Sequence, residues 1–172
     1  MELIPSWAPN VHPMIVHFPI VLVMLAAAAD LVQLLRPSVR ALSRTSSWLY
    51  SLGALAAGAA FLSGRLAANT VFVPGMAHSL VENHEHWALV STIGLVLVAA
   101  VRIAGGRRMR IAEGRGVRVL LVALGIGVAI MIQQTAERGA RLVYEQGVGV
   151  IPGPVPTAPE SPAVLSLDQA SP

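Results

Sequence analysis

The chain contains no cysteine and no lysine. Without thiols there can be no disulfides, thiolate metal sites, iron–sulphur clusters or thioether-linked haem. Any cofactor must be held by histidine, methionine, carboxylates or backbone. Charge is also scarce: 12% of the 172 residues are Asp, Glu, Lys or Arg, against about 25% in an ordinary soluble domain. In place of charge there are long apolar runs, with 55% hydrophobic residues and a mean hydropathy of +0.67. All twelve basic side chains are arginines. They flank the apolar runs, which matches lipid head groups and argues against a nucleic-acid partner.

Four runs are long enough to cross a bilayer, where roughly 20 residues suffice. They cover about residues 14–35, 47–68, 87–103 and 117–136. The fold class is therefore all-α, an integral membrane four-helix bundle over 1–150. A proline-rich tail over 151–172 holds six of the twelve prolines and is expected to be disordered. In the first run Pro13 suits a first turn. Pro19 removes a backbone bond one turn later, so a kink is expected beside His17. The N-terminus lacks a basic region and a small-residue cleavage site, so the first run reads as a retained span. In the second run Gly53, Ala57, Ala60, Gly64 and Ala67 form one small-residue face, suited to a close helix–helix seam or to a flat ligand.

Sidedness follows from arginine. Arg36, Arg40, Arg44, Arg102, Arg107, Arg108, Arg110, Arg115 and Arg118 fall in the two loops on one side, and Arg65, Arg138 and Arg141 on the other. The positive-inside rule makes the first side cytoplasmic. The expected setting is a bacterial cytoplasmic (inner) membrane, with several passes and both termini outside.

All five histidines then lie on the outer side. Asp30 is the one ionisable residue assigned to the inner half, and ionisable residues at membrane depth usually face a bundle interior. His12 and His17 occupy the mouth of the first helix. The alternative readings are that His12 caps the helix or sits at the interface, and that His17 bonds a carbonyl freed by Pro19. On the third helix His84, Ala88, Ser91 and Leu95 share a partly polar stripe. His86 lies about 200° around from His84, and His78 sits at the exposed start. Glu137 and Arg141 are spaced for an i,i+4 pair.

Three segments resemble a bacterial membrane family, domain of unknown function 2231. They are HPMIVHFPI (His12 to Ile20), NHEHWALVSTIG (Asn83 to Gly94) and GARLVYEQGVGV (Gly139 to Val150). The closing segment departs from the family pattern twice: Ala140 replaces its second glycine, and Gln146 stands where histidine is common. Members of that family occur fused to Rieske-type and cytochrome c domains, so the resemblance implies redox work outside the membrane.

Three functions stay open. The first is a membrane redox module binding haem b non-covalently, with His17 and His84 as leading ligands and His12 and His86 in reserve. Arg65 and Arg141 would pair the propionates, and electrons would pass to or from an external redox protein or quinone. The second is a non-catalytic anchor or docking subunit of a membrane complex or homo-oligomer. The third is an outer divalent-metal site at His17 and His84. No nucleophile–base pair or phosphate loop marks a hydrolase.

Overall fold

The computed structural model describes residues 10–39, 41–107 and 114–150. It consists of a one-turn helix α1 (His12–Ile15) and four long helices: α2 (His17–Leu35), α3 (Ala41–Ala68), α4 (His78–Arg107) and α5 (Arg115–Tyr144). A 3₁₀ turn, Gly75–Ala77, leads into α4. Each apolar run yields one helix long and apolar enough to span a membrane. Short connections make neighbours antiparallel, and α2 packs on α3, α3 on α4, α4 on α5, and α5 back on α2. The tail expected beyond Val150 lies outside the described residues.

The helices outrun the apolar runs that predict them. α4 begins at His78, nine residues before Trp87, which adds roughly 13 Å at 1.5 Å per residue. Pro19 has the expected effect. Its nitrogen cannot donate to the Ile15 carbonyl, and the first helix divides at Val16, which keeps helical dihedrals. The α5 C-terminus ends in an αL motif: Gly147 N–H donates to Val143 O (3.1 Å), and Val148 N–H reaches back to Leu142 O (2.9 Å). Gly147 has φ +64° and Gly149 φ +75°, backbone that glycine adopts without strain. Gly149 lies beside Val71, so the closing segment docks on the α3–α4 connection.

The small-residue face of α3 turns inward. Gly53, Ala57, Ala60 and Ala67 are buried, and a carbon added at Gly53 would meet Val23 at 3.4 Å and Leu95 at 3.7 Å. Helix against helix, the closer of the two expected uses, is what occupies this stretch. The apolar core joins Val23 and Ala26 of α2, Ala57 of α3, Leu95, Val98 and Ala99 of α4, and Val128 of α5. Large apolar side chains such as Leu55, Leu62, Leu97 and Ile130 point outward, as a lipid-facing surface requires.

One residue departs from its expected place. Arg102 is not in a loop. It lies within α4, five residues before the helix end, with a side chain 2% exposed and ion-paired to Asp30. Asp30 likewise lies five residues before the end of α2, so the opposite charges share one depth. Arg102 Nη1 also donates to Ser46 Oγ at 2.9 Å, and its guanidinium sits 4.5 Å over the Tyr50 ring. The half of the bundle assigned a lone aspartate holds a buried four-residue cluster. Isolated charges are so costly there that each demands a partner.

Candidate functional site at the histidine end

The short helix α1, the C-terminal end of α3, the start of α4 and the end of α5 meet at one end of the bundle. Asn10 Oδ1 accepts the His12 backbone N–H at 3.0 Å, just ahead of Val11, the N-cap of α1. His12 turns its imidazole toward α3, where Nδ1 lies 3.1 Å from Ser63 Oγ. The ring rests on Gly64, where an added Cβ would come within 3.0 Å of Cε1. His84 does the same on α5. Its Nδ1 is 3.1 Å from the Thr135 carbonyl, and an added Cβ at Gly139 would lie 3.1 Å from its Cε1.

The contact to Thr135 fixes the His84 tautomer, and that to Ser63 favours the same one in His12. The Thr135 carbonyl can only accept, so the neutral His84 ring carries its proton on Nδ1. Ser63 Oγ already donates to Ala60 O at 2.9 Å, so it accepts from His12 Nδ1. Each imidazole is left with an Nε2 lone pair, and no hydrogen bond to either Nε2 forms among the described residues. This is how a ligating histidine is held: one ring nitrogen oriented by a backbone or side-chain acceptor, the other bare. Below His84, Ser91 Oγ and Thr135 Oγ1 bond at 2.8 Å, and Thr135 Oγ1 donates to Met131 O at 3.0 Å.

The other candidates lie apart from this pair. His17 is exposed, in a shallow outward recess with Phe18, Val21 and Leu22. It follows the helix break and does not meet His84. The inward position expected for His17 belongs to His12: Val16 keeps helical dihedrals, and residues five apart lie about 140° around a helix, so the two imidazoles cannot both face inward. His86 is exposed, as its angular distance from His84 predicts, and exposed His78 bonds Gly75 O at 3.1 Å. Arg65 pairs with Glu85 at 3.3 Å. Arg141 pairs with Glu137 at 2.6 Å, the expected i,i+4 bond. Arg138 joins α5 to α4: Nε donates to Asn83 Oδ1 at 2.6 Å, and its guanidinium stacks 4.5 Å from the Trp87 ring.

Neutral imidazoles with bare Nε2 atoms are donors of the kind that haem iron takes. The space does not come ready-made, because the notches at Gly64 and Gly139 are filled by the imidazoles themselves. Among the described residues no group of three or more His, Asp or Glu side chains is arranged to hold a metal ion.

The fold and this site define a four-helix membrane protein with a histidine pair at one end. The chain belongs to the family DUF2231, described as a predicted membrane protein, whose model matches residues 8–152. No curated protein and no solved structure was found to match it. The three segments that carry the family resemblance converge here: His12 from the opening segment, His84 from the second, and Gly139, the notch for His84, from the closing one.

Proposed function

We propose that the protein is a membrane redox module whose histidine end holds a b-type haem through His12 and His84. The observation that carries this reading is the pair of Nδ1–H tautomers, which leaves two Nε2 lone pairs without protein partners. A haem bound there supplies one-electron chemistry, and the protein's part is to orient the imidazoles through Ser63 and Thr135. Arg65 and Arg141 stand at the same end as counter-charges for propionates. With the histidines confined to one end, electrons would be exchanged on that side only, with an external redox protein or a quinone. The arginine asymmetry supports an inner-membrane setting with this end outside. Removing Arg102 from the loop tally leaves eight against three, so the bias stands.

A second reading is favoured by the closeness of fit at Gly64 and Gly139. In it the imidazoles are structural pins of a non-catalytic anchor subunit. A divalent ion at the pair would need ligands from outside the described residues.

One experiment separates these. The protein is produced under haem-replete conditions and purified in detergent, and its spectrum is recorded oxidised and then reduced. The redox reading expects a sharp b-type α band that His12→Ala and His84→Ala each abolish or shift and that His17→Ala and His86→Ala leave in place. A colourless, iron-free protein would overturn it, and elemental analysis would then divide the anchor from the metal reading.

A further inference from the structure

The end of the bundle opposite the histidines carries a recess on its outer surface. Helix α3 begins at Ala41, ahead of its apolar run, so its first turns stand roughly 9 Å outside the hydrocarbon at 1.5 Å per residue. Ala41, Arg44, Thr45 and Trp48 line an open recess of about 370 Å³ there. Arg44 and Trp48 are one turn apart on one face and both exposed, while Ser46 and Tyr50 on the other face are buried. Beyond Trp48 the outer face continues as Leu52 and Leu55, also exposed. From the helix start inward the order is cation, indole, aliphatic chain.

The donors and charges of the recess select a ligand. The Arg44 guanidinium has no ion pair and no side-chain hydrogen bond among the described residues, and the Trp48 indole N–H has no acceptor there. Thr45 Oγ1 donates its proton to the Ala41 carbonyl at 3.1 Å, so the free donors are those of Arg44 and Trp48. Both call for acceptor oxygens, and a guanidinium matches the geometry of a phosphate. No carboxylate lines the recess. Among the described residues Asp30 is the one acid at this end, and Arg102 neutralises it. The ammonium of a zwitterionic headgroup would therefore meet a like charge and no counter-charge. We propose that the recess binds one anionic phospholipid. Its phosphate pairs with Arg44, its ester region accepts the Trp48 N–H, and an acyl chain lies along Leu52 and Leu55. These leucines stand about 6 and 10 Å beyond Trp48, within the half-thickness of about 15 Å that an acyl chain fills. The site is remote from His12 and His84, and the inference does not rest on the haem reading.

The test uses the full chain with Trp7→Phe and Trp87→Phe, which leaves Trp48 as the one tryptophan. It is placed in phosphatidylcholine nanodiscs containing increasing fractions of phosphatidylglycerol brominated in its acyl chains, and Trp48 fluorescence is recorded. Brominated lipid at the site quenches on contact. The expected result is quenching at low phosphatidylglycerol fractions, with a preference over phosphatidylcholine of about fivefold, the contribution of one arginine at a membrane surface. Arg44→Gln should abolish that preference. Arg36→Gln, an exposed arginine at the same end but outside the recess, should leave most of it. Soluble glycerol phosphate should not relieve the quenching. No preference in the parent, equal losses in Arg44→Gln and Arg36→Gln, or full relief by glycerol phosphate would each overturn the proposal. Equal losses would mean attraction to the charged surface as a whole, and relief would mean a site for free phosphate.

Discussion

Gly125→Ala tests the geometry of the buried cluster with one methyl group. In an exposed helix this substitution would add about 1 kcal/mol of stability. Here the new carbon overlaps Tyr50 Oη, and the ring or α5 must move by roughly an ångström or more to restore van der Waals contact. Neither has room, since Tyr50 is 0% exposed and pinned under the guanidinium of Arg102. Over-packing costs about 1–3 kcal/mol; an overlap with two partners unable to move falls in the upper part of that range, about 2–3 kcal/mol, so after the helix gain the net effect is a loss of about 1–2 kcal/mol. The double variant Gly125→Ala/Tyr50→Phe should recover most of it. With the hydroxyl gone, the nearest ring atom is Cζ at 3.2 Å, tight but relieved by a few tenths of an ångström. The coupling between the two sites should therefore exceed about 1 kcal/mol. The assay is reversible unfolding in mixed micelles, scored by circular dichroism for the parent, both single variants and the pair. A Gly125→Ala protein as stable as the parent would refute the argument, as would a double variant no better than Gly125→Ala.

Breaking the buried ion pair by Asp30→Leu should cost about 3–5 kcal/mol, because it strands a charged Arg102, while Asp30→Leu/Arg102→Met should regain most of that loss; the same micelle assay measures both, and equal damage from the single and double variants would count against the pairing. Gly64→Ala and Gly139→Ala should each displace one imidazole, at 3.0 and 3.1 Å. If haem is bound, each should shift the reduced α band more than Gly58→Ala, which meets nothing within 4 Å; equal spectra for all three would separate the notches from the ligand site. For sidedness, a reporter fused after Val150 should behave as external and one inserted at Arg107 as cytoplasmic. The reverse pattern would move the histidine end to the cytoplasm.

The four helices were legible because each span is a long run of apolar residues, a local property that needs no knowledge of neighbours. The break at Val16 was legible for the same reason, since Pro19 acts on its own helix. The inward stripe of His84, Ser91 and Leu95 could be read from spacing, because α4 is regular through that stretch. His12 and His17 could not be ranked this way. They lie five residues apart, about 140° around a helix, so at most one faces inward, and which one depends on how α1 packs on α3. Arg102 was misplaced for a related reason: arginine after an apolar run reads as a loop anchor, and its partner lies 72 residues away. The available signal was Asp30, whose burial required an opposite charge at equal depth on another helix.

The amino-acid sequence alone determined that this chain is a four-span membrane protein, which faces of α3 and α4 turn inward, and which end carries the histidines. Hydropathy, small-residue spacing and proline act within one segment, so their consequences are written locally. Tertiary structure decided which imidazole points inward, the tautomers of His12 and His84, and the joining of Asp30, Ser46, Tyr50, Arg102 and Gly125. Each of these depends on contacts between residues distant in the chain, where one helix supplies the acceptor, the counter-charge or the missing side chain that another requires.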